Sequence, residues 1–189
     1  MDVKEAIFKR RSIRKFAQES VEESTLLELV DCARVAAYGA NMQPLKFRLI
    51  TDGAEINEVF PSIKWAGYLP DGAPKDGERP RAYIAILGDM TVRTNGAFET
   101  DAGAAVTNMM LMAVEQGLAT CWLGAIDREK ISAVLNLPEN LKLLYLLAVG
   151  KSAQESRIVE MKDGDVKYYE DENGMINVPK RAIEDVLVK

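Results

Sequence analysis

The sequence predicts a single domain in which helices and strands alternate. Three observations carry that reading. Apolar residues recur at helical spacing over residues 22–37 and 97–116. Two largely apolar runs, Ala82 to Leu87 and Leu141 to Val149 (the latter interrupted only by Lys142), read as buried strands. No repeat, low-complexity tract or dividing linker breaks residues 1–189, and 189 residues with 48% hydrophobic composition suffice for one sizeable core.

Taken in order, Asp2 to Arg11 reads as a short amphipathic helix with Asp2 as N-cap and Val3, Ala6 and Ile7 on one face. The helix over 22–37 follows, with Leu26, Leu29, Val30, Ala33 and Ala37 in phase; the loop from Tyr38 to Pro44 ends it. A strand is expected over 47–51 and a helix over 54–60. Residues 61–80 hold four prolines and three glycines, too punctuated for a helix and too long for an ordinary connector. Their Trp65 and Tyr68 mark a loop that packs on something. The helix over 97–116 is closed by Gly117, and its Asp101 reads as an exposed helix carboxylate. Thr120 to Leu123 is a short strand ending at Gly124, with Trp122 read as core. Asp127 caps a helix reaching Leu135. Residues 164–178 read as a hairpin turning at Asn173-Gly174, and a charged tail runs from Pro179 to Lys189.

Composition narrows the function. Net charge is −5, which argues against a nucleic-acid or membrane-surface partner. No signal-peptide pattern or membrane-length apolar run is present, and Cys32 and Cys121 sit apart in apolar stretches. A reducing, cytoplasmic setting is expected. There is no histidine. That excludes histidine-based nucleophile systems and metal sites, and it removes the side chain that titrates near neutrality. An enzyme built this way leaves its chemistry to a bound cofactor, with no catalytic side chain and no metal.

Against the acidic total, Arg10-Arg11-Ser12-Ile13-Arg14-Lys15-Phe16 is the outstanding segment. Arg forks match phosphate oxygens bidentately, so the segment suits a phosphate monoester; read alone, it equally fits a solvated basic helix end. No G-x-G-x-x-G follows a strand, so no dinucleotide-binding βαβ unit is expected.

Four segments in order resemble the nitroreductase family. They are RRSIRKF at 10–16; Asn41-Met42-Gln43-Pro44 with Phe47; the run from Asn108 to Gly124 that continues the small-sided helix; and Lys180-Arg181. The resemblance implies an α+β fold, with a central, mostly antiparallel sheet flanked by helices in an intertwined homodimer. It implies FMN at the subunit boundary and NADH or NADPH as co-substrate, with ping-pong hydride transfer through flavin N5 to a nitroaromatic, quinone or similar small aromatic acceptor. On that resemblance Arg10, Arg11, Ser12 and Arg14 grip the phosphate and ribityl chain, and Asn41 and Gln43 reach the flavin. Gly124 and Ala125 meet it near N5, and Lys180 and Arg181 close on the phosphate. Tyr38, Trp65 and Tyr68 are expected in the substrate pocket. Two departures from the family pattern stand out: Ala37-Tyr38 replaces the usual Pro-Ser, and Leu45 replaces an aromatic. Alternatives that keep the flavin are a non-catalytic carrier or sensor, and a relative with dehalogenating or flavin-cleaving chemistry.

Overall fold

A computed structural model describes residues 1–188. Its elements are α1 (Val3–Lys9), α2 (Glu23–Arg34), β1 (Leu45–Ile50), α3 (Gly53–Val59), β2 (Ala82–Asp89), α4 (Glu99–Glu115), β3 (Ala119–Leu123), α5 (Arg128–Val134), β4 (Leu141–Gly150), β5 (Ser156–Glu160), β6 (Tyr169–Glu170) and β7 (Ile176–Lys180). The fold is α+β. Strands β1, β2, β4 and β3 form one sheet in that order, antiparallel throughout.

Side chains alternate across this sheet, and both faces are covered. Tyr83, Ala85 and Leu87 of β2 join Cys121, Leu146 and Ala148 in a core closed by α3 and α5 through Val59 and Ile131. Ala82, Ile84 and Ile86 face the opposite way, onto α2 and α4 through Leu29, Val106 and Met109. That double cover is why β2 reads as an unbroken apolar run: all eight of its residues are buried.

Local chemistry fixes the ends of the elements. Asp2, Asp52 and Asp127 each accept a backbone N–H in the first turn of the helix they precede. Gly117 follows α4 at φ +70°, a conformation in which glycine carries no steric penalty. Helix α2 stops at Arg34, short of the expected Ala37, and the chain from Tyr38 turns instead into a 3-10 segment over Gly39–Asn41.

The C-terminal region corrects the sequence reading. The hairpin exists, with Gly174 in its turn at φ +78°, but β7 runs on through Pro179 to Lys180. It does so because β5, a strand the pattern did not reveal, pairs with it in parallel. Asp101 is likewise not exposed: only 1% of it is accessible. Trp122 is partly buried, edge-on to Tyr145 with ring centroids 5.2 Å apart.

Candidate flavin-binding site

The basic segment is laced into the sheet rather than left as a helix end. Helix α1 ends at Lys9, and Arg10 leaves it in an extended conformation. Ser12 bridges to Thr120 of β3, with the Ile13 N–H donating to the Thr120 carbonyl at 2.9 Å. Phe16 bridges to Ser152 beyond β4, and its N–H donates to the Glu78 carbonyl at 2.9 Å. Ile13 and Phe16 are buried and act as two anchors. The Phe16 ring lies where a Cβ on Gly150 would come within 2.9 Å, so the absence of a side chain there makes its seat.

Alternation along this stretch puts Ser12 and Arg14 on one side and Arg11 and Ile13 on the other. Arg11 is buried, donates to the Phe8 carbonyl, and lies with Val114 and Gly117 at the end of α4. Arg14 donates to the Ser12 carbonyl at 3.3 Å and sits over the Tyr168 ring. Burial lowers the Arg10 guanidinium from its ordinary value; burial and then the neighbouring Arg10 charge lower that of Arg11. Among the described residues none of Arg10, Arg11 and Arg14 has a carboxylate within ion-pair distance.

A second group of residues gathers where β3 ends. Gly124, Ala125 and Arg128 line a cavity of about 510 Å³ together with Ser62, Ile63 and Lys64 from the long loop. The two walls are stitched together: Ile63 bridges Ile126, the Lys64 N–H donates to Ala125 at 2.9 Å, and the Asp127 N–H donates to Ser62 at 2.8 Å. The Gly124 and Ala125 N–H groups find no backbone acceptor among the described residues. The chain at Gly124 has no positive φ, and a Cβ there would only touch the Tyr145 ring at 3.5 Å.

The loop Tyr38–Pro44 is held in an uncommon conformation. Ala40, Asn41 and Gln43 have φ of +50°, +53° and +51°. Such residues, glycine apart, cost of order 1 kcal/mol each unless their surroundings impose the shape. The Gln43 amide donates to both the backbone and side-chain oxygens of Asn41 at 3.2 Å, so the two exposed amides form one unit. Tyr38 donates its hydroxyl to the Ala33 carbonyl at 2.9 Å; burial and then the charge of Asp101 raise its pKa.

Of the other predicted residues, Trp65 packs on the core beside Phe60, with centroids 5.9 Å apart. Tyr68 remains half exposed and packs on Tyr168 at 5.1 Å. Lys180 closes β7, paired with Glu160, and Arg181 follows it; both are exposed, and among the described residues no hydrogen bond or ion pair joins their side chains to the Arg10–Arg14 segment. Sequence reading missed Tyr168 and the buried role of Asp101. Aromatic character at Tyr168-Tyr169 was the only signal for the first, and nothing local marked the second.

With this geometry in view, comparison with known proteins is decisive. A sequence model of the Nitroreductase family matches residues 7–151. The chain belongs to that family. It is 27% identical over 169 residues to a Methanothermobacter thermautotrophicus protein named "Putative NADH dehydrogenase/NAD(P)H nitroreductase", covering 87% of this chain and 85% of that one. It is 23% identical over 183 residues to the NADPH-flavin oxidoreductase of Vibrio harveyi, covering 92% and 75%. A solved structure from Desulfovibrio desulfuricans, described as a "putative nitroreductase in complex with fmn", superposes with a TM-score of 0.72 at 25% identity over 100% of this chain and 96% of that one.

Proposed function

We propose that this chain is an FMN-dependent NAD(P)H oxidoreductase that reduces a small aromatic acceptor such as a nitroaromatic or a quinone. The observation that carries the reading is the set of partly buried arginines at positions 10, 11 and 14 with no carboxylate partner among the described residues, in a protein of net charge −5. Buried cations without a counter-charge are costly, and a phosphate monoester is the anion their forked geometry matches.

The rest of the site fits the same ligand. Arg10, Ser12 and Arg14 share the side suited to the phosphate and ribityl chain; Arg11, on the other side, supports the segment and adds to its positive field. Lys180 and Arg181 supply further late-chain charge. The unpaired N–H groups of Gly124 and Ala125 offer neutral donors at a cavity wall, the kind of contact that holds a flat ring by an edge nitrogen while leaving a face open. Lys64 and Arg128 place two cations on that wall. FMN, when bound, supplies the hydride chemistry that a chain without histidine cannot supply, taking a hydride from NADH or NADPH and delivering reducing equivalents to the acceptor in alternation. The chain's own work is to hold the ring, to orient both substrates over one face and to keep the phosphate end fixed. Tyr68, exposed on the long loop, is the aromatic we assign to meet an acceptor; Trp65 and Tyr38 pack against the cores on opposite faces of the sheet.

We further propose that residues 1–189 act as one flavin-binding domain and that the working unit is a cytoplasmic homodimer. Val3, Ile7 and Phe8 on α1 and Ile183, Val186 and Leu187 in the tail are exposed apolar side chains that a second copy would cover. Gly103 on α4 has open space around its Cβ position, which permits close approach of another chain. No helix among the described residues is long and apolar enough to cross a membrane.

The test is anaerobic. Protein reconstituted with FMN is expected to bleach with NADH or NADPH and to regain its colour on addition of a nitroaromatic or quinone. A chain that binds no flavin refutes the proposal. One that stays yellow with both nicotinamides is a carrier or sensor instead.

A further inference from the structure

Asp101 lies in the first turn of α4, where a carboxylate ordinarily faces water and the helix dipole. Here it is 1% exposed and faces the Tyr38–Pro44 loop. Its Oδ1 accepts the Gly39 N–H at 2.9 Å, and its Oδ2 lies 3.0 Å from Nη2 of Arg93. Arg93 is itself largely buried; it donates to the Ala97 carbonyl and approaches the Met42 sulfur at 3.8 Å. The carboxylate and its guanidinium therefore clasp the loop at Gly39 and Met42, on either side of Asn41. The other fixed points are Tyr38 on Ala33 and the Pro44 carbonyl, which accepts the Asp89 N–H at 2.8 Å.

Between these points lie the three left-handed residues Ala40, Asn41 and Gln43. Such a run persists only where its surroundings over-determine it. A buried ion pair is a weak source of stability compared with well-packed apolar residues, and its best-attested use is to specify one arrangement among several. Asn41 and Gln43 are exposed and bonded chiefly to each other, so nothing in their own side chains selects the loop's direction.

We propose that Asp101, acting with Arg93, is a positioning residue that sets the Asn41–Gln43 loop in the one conformation able to contact the flavin ring. It touches neither cofactor nor substrate; it acts through the Gly39 amide and through Arg93. The inference rests on the flavin reading above and concerns the ring end of the ligand, not its phosphate.

The experiment measures dissociation constants for FMN and for riboflavin, which lacks the phosphate, with the wild-type dimer and four variants. These are Asp101→Ala, Asp101→Asn, Asn41→Ala and the double variant Asp101→Ala with Asn41→Ala. Arg93→Gln is a separate route should Asp101→Ala fold poorly. Folding is checked by circular dichroism well below the melting transition. Asp101→Ala is expected to weaken FMN and riboflavin by the same factor, roughly tenfold, the scale of one charge-assisted hydrogen bond. Asp101→Asn, which keeps an acceptor for Gly39, recovers part of that loss. The double variant loses no more than the larger of the two single losses, because residues acting through one element are not additive. The visible spectrum of bound flavin shifts alike in Asp101→Ala and Asn41→Ala.

Unchanged flavin affinity in a folded Asp101→Ala or Arg93→Gln protein overturns the inference. So does strict additivity with Asn41→Ala, or a loss confined to FMN. A wild-type protein that binds neither ligand refutes the flavin reading first, and that outcome is distinct from the others.

Discussion

The guanidinium of Arg14 sits over the ring of Tyr168, 4.3 Å from its centroid. Tyr168 in turn packs on Tyr68, so the N-terminal basic segment, the long loop and the region beside β6 meet in one stack. A cation over an aromatic face gains about 0.5–1 kcal/mol at an exposed site and keeps its in-plane N–H groups free for an anion.

Arg14→Ala should therefore weaken FMN binding by about 1.5–3 kcal/mol, roughly 10–150-fold, and affect riboflavin much less. Tyr168→Leu should produce a smaller loss with the same preference for FMN, and Tyr168→Phe should restore it. Fluorescence titration with both flavins checks this; equal losses for the two ligands would mean that the residues act through the fold.

Gly124→Ala separates ligand approach from folding. The added methyl meets the Tyr145 ring at an ordinary 3.5 Å and forces no left-handed backbone, so the melting temperature should stay within a few degrees of wild type. Flavin affinity should fall, because Gly124 lines the cavity in which we propose the ring is held. A variant with unchanged affinity would place the ring elsewhere.

Gly150→Ala is the converse case. Its methyl would come within 2.9 Å of the Phe16 ring, a fully buried anchor of the basic segment. Overpacking of this kind costs about 1–3 kcal/mol. Both the urea midpoint and FMN affinity should drop together, and Gly150→Ala with Phe16→Leu should recover part of each.

Acid should destabilise the protein in part through Asp89 and Asp171. The Asp89 carboxyl is held below its ordinary value chiefly by the Thr91 hydroxyl, at 2.6 Å, and then by the Thr91 amide. Asp171 is lowered chiefly by the Asn177 amide. A carboxylate with a depressed folded pKa contributes stability above its unfolded pKa and loses it as pH falls through the folded value. Urea midpoints should thus decline from about pH 5 downward, and Asp89→Asn with Asp171→Asn should flatten that decline. An unaltered acid limb in the double variant would assign the loss to other groups.

Much of the architecture was written in local pattern. The β2 and β4 runs, the caps at Asp2 and Asp127, and Gly117 each announce their element because a neighbour in sequence decides it. Strand β5 was invisible for the opposite reason: Ser156–Glu160 alternates weakly and is a strand only because β7 lies beside it. The site divides in the same way. The arginines and the Asn41 loop were legible as motifs, and the structure shows how each is held. Asp101 was misread because its partners, Gly39 and Arg93, belong to other segments, and a lone helix carboxylate carries no sign of a distant clasp. Tyr168 escaped notice because only the folded chain brings it to Arg14.

The bridges from Ser12 to Thr120 and from Phe16 to Ser152 join segments far apart in the chain. The extended shape of the basic segment is therefore a product of long-range closure, whose entropy cost must be met before the arginines are fixed relative to one another. A fragment ending before Ser152 would carry the whole arginine motif with only one of its two bridges, and the spacing of its guanidinium groups should be correspondingly loose.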